Sequence, residues 1–238
     1  MERNFIVVGV ISSPRTGGNT AVMVREALKG AEEEGAVVKE VFLPGIKMEF
    51  CQGCLTCMKT GKCRLDDGFN ELRDTLNRAD GIIWGSPTYA ANVNAIMKNL
   101  IDRLGMFEVS TSSLGGKYMA GISAANSAGA AKKIASSLAR FGSGGTFLRS
   151  YNSGRLGAGF SGGRKAEGDK AVLDKAGKLG RKVARDIKNG EKYIFQSIPG
   201  RILSGLFMRP AFSKYIRENK EGDAKVLYES LKARNLIV

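Results

Sequence analysis

Short apolar runs alternate with amphipathic segments along the first 190 residues of the chain. The run Phe5 to Ile11 is apolar and β-branched, and the segment Asn19 to Glu34 after it has helical composition. A short apolar run bounded by turn residues is typical of a buried strand, whereas apolar residues three and four positions apart indicate a helix. The pattern predicts strands at 5–11, 37–43, 81–85, 117–122 and 146–149, and helices at 19–34, 69–78, 93–104, 128–140 and 166–189.

Strands that alternate with helices indicate a parallel sheet, because each right-handed crossover lays a helix on one of its faces. We therefore predict an α/β fold with a doubly wound five-stranded parallel sheet, formed by residues 1–190. A cysteine-bearing loop lies at 44–66, and residues 191–238 form a basic C-terminal extension. The segment Gly142 to Gly163 holds eight glycines in 22 residues, which predicts a functional loop or a mobile lid.

The composition is that of a globular protein that lacks one kind of side chain. The 238 residues are 43% hydrophobic and 25% charged, which argues against disorder and fibrous repeats. Histidine is absent. Ser-His-Asp and Cys-His catalysis, histidine-ligated zinc and histidine pH switches are therefore excluded, because each needs an imidazole. No other pattern for general acid or base catalysis stands out, so the sequence predicts no catalytic side chain.

The N-terminal apolar run does not have the form of a targeting segment. It is seven residues long and has neither a basic leader nor a small-residue cleavage site. No stretch reaches the roughly 18 uncharged apolar residues that a membrane span needs. We therefore predict a cytoplasmic protein.

The loop from Ser12 to Thr20 joins the first strand to the first helix and is rich in hydroxyls, glycines and amides. Unpaired backbone N–H groups at a helix start carry a partial positive charge, and Arg15 adds a delocalised cation, so the loop suits a phosphate. It contains neither G-x-G-x-x-G nor G-x-x-x-x-G-K-[ST], which disfavours a dinucleotide Rossmann site or a P-loop. A helix cap with turn glycines is the structural alternative.

Two further loops leave the predicted sheet at the edge where open parallel sheets bind ligands, namely 85–92 and 123–129. In the first of these, Pro87 fixes the backbone and Tyr89 offers an aromatic face, although Trp84 and Tyr89 could equally be core residues. The second holds small residues that would let a ring lie against the backbone.

The motif S-S-P-R-x-x-G-N-T after the first strand, and G-S-P-T-Y followed by M-K-N-L-I-D-R, resemble the flavodoxin-like NAD(P)H-dependent FMN reductase family over residues 4 to 190. The resemblance implies strand order 2-1-3-4-5 with FMN at the switch point. In that family's pattern, the phosphate is held by Ser12, Arg15, Asn19 and Thr20, the isoalloxazine is bordered by Pro87, Thr88, Tyr89 and Asn92, and the third wall is formed by Ser123 and Gly129.

The helix after the flavin loop carries Lys98, Asp102 and Arg103, which match the same family. These three residues either take part in the function, or they only stabilise the structure and contact another subunit. The i, i+4 spacing of the first two already permits a plain ion pair.

All four cysteines lie in one 13-residue window, Cys51-x2-Cys54-x2-Cys57-x5-Cys63. A compact set in a cytosolic chain more often binds metal or does redox work than forms disulfides. A C-x2-C-x2-C run wraps three corners of a cubane, and a nearby fourth thiolate completes it, whereas structural zinc usually has two separated pairs. An iron–sulfur cluster is favoured over a redox or empty cysteine site, zinc, or disulfides. The pattern differs from that of bacterial ferredoxin in two ways: five residues precede the last cysteine, and Arg64, not proline, follows it.

The cysteine pattern continues as Gly61 to Asp67 and is similar to the iron–sulfur flavoprotein branch of the same family. The resemblance implies a [4Fe-4S] cluster in this loop and a homodimer or dimer of dimers, with the cluster near a neighbour's flavin. FMN can take two electrons from a hydride and release them singly, and a cluster carries one electron at a time. Together they would couple two-electron transfer to one-electron transfer. We predict an FMN-dependent electron-transfer oxidoreductase with NAD(P)H or a ferredoxin-like carrier as donor. The alternative is an NAD(P)H-dependent FMN or quinone reductase without a cluster.

The net charge of +14 comes entirely from the second part of the chain, because residues 1–130 hold 14 basic and 14 acidic residues and residues 131–238 hold 23 and 9. The segment Tyr193 to Arg217 combines bulky apolar residues with only basic charges. We expect that this segment covers the core or forms an oligomer. Docking of an acidic carrier such as ferredoxin is the second alternative, and attachment to a membrane surface is the least favoured. Nucleic acid is not expected, since no recognition motif accompanies the basic residues.

Overall fold

Five parallel strands form the central sheet in the computed structural model, which describes residues 4–143, 145–193, 195, 196, 198, 202 and 204–237. Their order, β2–β1–β3–β5–β6, is the predicted 2-1-3-4-5 order of a flavodoxin-like sheet, and the short β4 pairs antiparallel with the end of β3. The strands are β1 (Ile6–Ile11), β2 (Val37–Phe42), β3 (Gly81–Tyr89), β4 (Asn92–Val93), β5 (Tyr118–Ala125) and β6 (Tyr151–Gly159).

Helices cover both faces of this sheet. Val7 and Ile11 of β1 face the layer that contains α1 and α6, and Val8 and Val10 face the layer that contains α3, α4 and α5. Because both faces are buried, the strand is apolar at nearly every position. The helices are α1 (Asn19–Glu33), α2 (Thr56–Thr60), α3 (Phe69–Arg78), α4 (Ala95–Thr111), α5 (Ala128–Ala139), α6 (Lys170–Lys188), α7 (Arg209–Glu218) and α8 (Lys225–Ala233).

The prediction of a fifth strand at 146–149 and a loop or lid over 142–163 is wrong. The fifth parallel strand is β6, which lies inside the glycine-rich segment. A Cβ atom on Gly157 would lie 2.2 Å from the backbone nitrogen of Lys132, and one on Gly159 would lie 2.6 Å from that of Ala128. These glycines let α5 approach the strand closely, so they serve packing and not flexibility.

The C-terminal helices pack onto the sheet domain at the cysteine-bearing loop. Phe147 forms a small core with Ile216, Leu227 and Leu231, and Met58 of α2 packs against it. Lys59 of α2 lies 3.0 Å from Asp223. This part of the extension therefore covers apolar surface. Residues 194, 197, 199–201 and 203 of the basic segment lie outside the described residues, and the predicted domain boundary at 190 stays a prediction.

None of the described helices is long and apolar enough to cross a bilayer.

Candidate functional site

Three loops meet at the carboxyl edge of the sheet, and buried hydrogen bonds join the first two. Ser12 donates from its backbone nitrogen and from Oγ to the carbonyl of Gly85, at 2.9 and 3.1 Å. The carbonyl of Ser12 accepts from Nδ2 of Asn94 at 2.6 Å. The Ser12 side chain is fully buried, so its hydroxyl holds the loops together.

The first loop runs through the exposed residues 14–17 into the start of α1. Ser13 Oγ accepts from the backbone nitrogen of Arg15 at 3.2 Å, and the nitrogen of Gly18 donates to the carbonyl of Arg15 at 3.0 Å. Gly18 is the N-cap of α1, it offers no capping side chain, and the first turn holds no acidic residue. Arg15 is exposed beside this turn. The N–H groups and the guanidinium therefore form an electropositive site suited to an anion.

The other two residues predicted to hold a phosphate lie in the same junction with different surroundings. Asn19 accepts with Oδ1 from the backbone nitrogen of Ala166 at 3.0 Å, so it anchors the segment after β6. Thr20 is 2% exposed and lies against Gly85. Their contacts to a phosphate stay predictions.

The second loop is a tight hairpin with two alanines at its tip. Tyr89 pairs with Asn92, and Ala90 and Ala91 between them have φ of 46° and 59°. A two-residue hairpin of this kind needs left-handed conformations at both positions, which cost a non-glycine residue about 1–2 kcal/mol each. Backbone strain is thus concentrated beside Tyr89, whose side chain is 47% exposed.

A chain of hydroxyls joins the second loop to the third. Ser123 donates to the carbonyl of Ser86 at 2.6 Å, so its one proton is used there. Thr88, whose Oγ1 lies 2.9 Å from that hydroxyl, must then be the donor to it. Ser123 is fully buried, and it would border a flavin by its position in β5 and not by a free hydroxyl. Gly129 faces open space.

Of the remaining aromatic and proline candidates, Trp84 and Pro87 are buried in β3. Trp84 donates from Nε1 to Sδ of Met119 at 3.3 Å and belongs to the core. The predicted residues that line the open edge are Arg15, Tyr89, Asn92 and Gly129.

Asn94 connects all these elements, and the sequence interpretation did not single it out. Its Oδ1 caps α4 by accepting from the backbone nitrogen of Met97 at 3.2 Å. The backbone nitrogen of Asn94 donates to Oγ of Ser86 at 3.1 Å. With the bond to Ser12 it fixes the start of α4 against the first and second loops. An asparagine directly before a helix is a recognised N-cap signal, so the sequence did contain a clue.

The cysteine-bearing segment is an exposed loop around the short helix α2. Cys51 and Cys54 are exposed, Cys57 and Cys63 are half-buried, and all four are free thiols. Burial raises the pKa of Cys57, and the charges of the other three thiols raise it further. Among the described residues no three cysteine or carboxylate side chains converge tightly enough to hold a single metal ion.

A buried arginine of α4 reaches into this segment. Arg103 forms a bidentate pair with Asp67 at 2.8 and 3.0 Å, and both side chains are 1% exposed. The same guanidinium donates to Sγ of Cys63 at 3.2 Å and to the carbonyl of Glu49 at 2.7 Å. Arg103 therefore ties together both ends of the cysteine loop. Lys98 and Asp102, predicted with it, form an exposed ion pair at 2.5 Å.

A second arginine next to the thiols is buried without hydrogen-bond partners for two of its nitrogens. Arg73 of α3 is 5% exposed, and its Cζ lies 4.4 Å from the ring centroid of Phe107. Its Nε and Nη1 have no acceptor in the described part of the chain. Burial lowers the pKa of Arg73, while nearby Asp74, Cys57 and Cys63 raise it. A buried cation of this kind is costly unless negative charge lies close by.

Comparison with known proteins gives one family. The model of the family described as NADPH-dependent FMN reductase matches residues 6–151. An iron–sulfur flavoprotein of Methanocaldococcus jannaschii is 42% identical over 97 residues, which are 41% of this chain and 50% of that protein. One of Archaeoglobus fulgidus is 40% identical over 97 residues, 41% of this chain and 44% of that protein. The chain thus spans about half the length of the curated relatives it matches.

Solved structures agree on the fold. RosB, with a bound 8-demethyl-8-formylriboflavin-5'-phosphate, has a TM-score of 0.61 at 16% identity and covers 90% of this chain and 87% of its own. A flavone reductase has a TM-score of 0.61 at 20% identity, covering 79% and 64%. The sheet order confirms the predicted fold, and the match to the family model confirms the predicted resemblance. The chain belongs to the NADPH-dependent FMN reductase family, in the branch that contains the iron–sulfur flavoproteins.

Proposed function

We propose that the protein is a flavin-dependent oxidoreductase that binds FMN at the carboxyl edge of its sheet. The observation that supports FMN most directly is the open start of α1, where Gly18 leaves the backbone N–H groups uncapped beside exposed Arg15. A dianionic phosphate matches both groups. The ring would lie against the strained hairpin, with Tyr89 and Asn92 at its border.

We further propose that the four cysteines hold a [4Fe-4S] cluster. A cubane bound by four thiolates carries net negative charge, and each thiolate binds a different iron, so its ligands are spaced more widely than those of one ion. Arg73 is a buried guanidinium of which two nitrogens have no partner in the described part of the chain, and this is the observation that carries the proposal. The thiols of Cys57 and Cys63 are close enough to raise its pKa. Arg103, bonded to Cys63, would add a second buried cation.

When bound, FMN accepts a hydride and a cluster passes on single electrons, which is the chemistry the two groups would supply. The chain's own residues bind the two groups and orient the loops that hold them. The helix start and Arg15 hold the phosphate, Asn94 fixes the two loops, and Arg103 and Asp67 fix the cysteine segment on α4. No side chain is assigned a proton transfer to a substrate.

The apolar surroundings of the cysteine loop support the homodimer or dimer of dimers that the resemblance implies. Phe50 is 76% exposed and Leu55 is 47% exposed, on either side of Cys51 and Cys54. Bulky apolar side chains around exposed cysteines favour burial against a second copy. NAD(P)H and a ferredoxin-like carrier are the proposed electron donors.

Titration of flavin-free protein with FMN and with riboflavin tests the phosphate site. We expect Arg15→Ala to weaken FMN binding by roughly 10-fold or more, as a charge-assisted hydrogen bond predicts, and to leave riboflavin binding unchanged. Arg78→Ala, which removes an exposed arginine from the other end of the sheet, is the matched control. Equal FMN affinity in both variants would contradict the assignment of Arg15.

A further inference from the structure

A cavity of about 590 Å³ lies between the sheet domain and the C-terminal extension. Its wall includes residues 149–152, where β6 begins, whereas the flavin loops follow the ends of the parallel strands. The nine residues of β6 separate the two places by roughly 25 Å at the usual rise per residue. The volume is within the range of small-molecule sites, roughly 300–1,000 Å³.

Among the described residues, the charged side chains that line this cavity are all cationic. They are Arg140, Arg149, Lys192 and Arg209. Arg140 and Lys192 are exposed and form no ion pair with the described residues. Arg209 donates to the carbonyl of Leu236 at 3.3 Å and lies 5.9 Å from the ring centroid of Phe147. Arg140 and Lys192 therefore give the cavity positive charge that no carboxylate of the described lining neutralises.

Hydrogen bonds fix the wall that carries these cations. Gln196 donates to the carbonyl of Asn152 at 2.7 Å and accepts from its nitrogen at 2.9 Å, so its amide extends the edge of the sheet. Ser204 donates to the carbonyl of Thr146 at 3.1 Å. The extension is thus bonded to Asn152 of β6 and to Thr146 in the segment before it. Thr146 and Ser143 add hydroxyls to the lining.

We propose that this cavity is a second ligand site, which binds the phosphate groups of an organic phosphate other than FMN. Guanidinium, ammonium and hydroxyl groups without carboxylates are the chemistry that recognises phosphate. The volume exceeds what one inorganic phosphate fills, and Phe147 and Tyr151 give the lining aromatic surface for the organic part. The distance to the flavin loops makes it a binding site and not a place of hydride transfer.

Two sources of such a phosphate are distinguishable. A soluble nucleotide would enter the cavity alone. A phospholipid headgroup would enter while its bilayer contacts Leu206, Phe207 and Met208, which lie between the lining residues Gly205 and Arg209 and are 65%, 65% and 55% exposed.

Calorimetric titration of FMN-saturated protein with ATP and with pyrophosphate at physiological salt tests the site, because bound FMN blocks the first phosphate site. We expect Arg140→Ala combined with Lys192→Ala to weaken binding at least 10-fold. Lys175→Ala combined with Lys178→Ala removes the same charge from exposed positions of α6 and should leave the affinity within twofold. Equal weakening in both double variants would show nonspecific charge attraction and overturn the proposal.

Co-sedimentation with phosphatidylglycerol vesicles and with phosphatidylcholine vesicles identifies the source. Binding to the former that pyrophosphate displaces, and that Phe207→Asp abolishes without changing the pyrophosphate affinity, assigns a lipid headgroup. ATP binding without vesicle binding assigns a soluble nucleotide. Binding of neither nucleotide, pyrophosphate nor vesicles contradicts the proposal, and this result is independent of whether the protein takes up FMN.

Discussion

Arg103 and Cys63 are joined by a hydrogen bond from Nη2 of the guanidinium to Sγ, 3.2 Å long, while the same guanidinium is paired with Asp67. A residue of the helix that follows the flavin loop therefore positions a cysteine of the proposed cluster. The buried ion pair makes this link rigid, since neither group can be solvated without unfolding the loop.

The two buried arginines near the cysteines should differ in their effect on stability. In cluster-free protein, Arg73→Met should raise the free energy of unfolding by about 1–3 kcal/mol, because it removes a buried cation with unpartnered nitrogens. Arg103→Met should lower it by about 3–5 kcal/mol, because Asp67 is left buried without its partner. Urea unfolding at pH 7 measures both. A large loss of stability in Arg73→Met would contradict the uncompensated burial of this guanidinium.

The pH dependence of stability should depend on Glu108. Burial raises the pKa of this carboxyl to about 7 from its ordinary 4.5, although Leu114 and Ser113 donate hydrogen bonds to it. Because the folded state prefers the protonated form, the contribution of Glu108 to stability is fully present below pH 4.5 and is lost as the pH rises through 7, by about 3 kcal/mol in all. Glu108→Gln should remove this part of the pH dependence.

Urea unfolding between pH 5 and pH 8 measures the effect. Glu32→Gln, at an exposed position of α1, serves as the control, and it should keep the wild-type slope. Parallel pH profiles for wild type and Glu108→Gln would contradict the raised pKa.

The strained hairpin gives a prediction about the flavin loop. Ala91→Gly should stabilise flavin-free protein by up to about 1 kcal/mol, because glycine adopts the left-handed conformation without penalty. Ala95→Gly, in the exposed first turn of α4, should destabilise it by about 1 kcal/mol. Thermal unfolding of both variants checks the difference, and two equal losses would show that Ala91 is unstrained.

The close contact between α5 and β6 explains two glycines with opposite expected effects. Gly157→Ala should destabilise the protein by about 1–3 kcal/mol or more, because its Cβ would meet the backbone of Lys132. Gly129→Ala, in α5 with open space around it, should be neutral or stabilising by up to about 1 kcal/mol. Denaturant midpoints of the two variants compare them directly, and a tolerated Gly157→Ala would contradict the packing described.

Most of the sheet domain could be predicted from the sequence because its signals are local. The run from Phe5 to Ile11 and the helix at 69–78 are recognisable from their own residues, and the latter has the predicted bounds. The fifth strand was missed because the meaning of Gly157 and Gly159 depends on α5, which approaches them only in the folded protein. Strand β3 extends to Tyr89, beyond the predicted end at 85, because Ser86 and Pro87 pair with β5 and the last two residues pair with β4.

The candidate site could be predicted only in part, for the same reason. Motifs place Arg15 and Tyr89 at the ligand edge, where the structure finds them exposed. The sequence does not show that the hydroxyl of Ser123 donates a hydrogen bond inside the sheet, or that Arg73 is buried near the cysteine loop. The first depends on the contact of β5 with β3, and the burial of Arg73 depends on its packing against Phe107 of α4. The predicted flavin contacts and the predicted cytoplasmic location stay predictions.

The central claim is that one chain holds both FMN and an iron–sulfur cluster, and the amounts of iron and acid-labile sulfide per FMN in anaerobically purified protein test it most directly. We expect about four of each per flavin, as a cubane requires. Cys57→Ser should lower both without removing the flavin. Flavin without iron and sulfide, even after anaerobic reconstitution with both, would contradict the cluster and leave an NAD(P)H-dependent FMN or quinone reductase with free thiols.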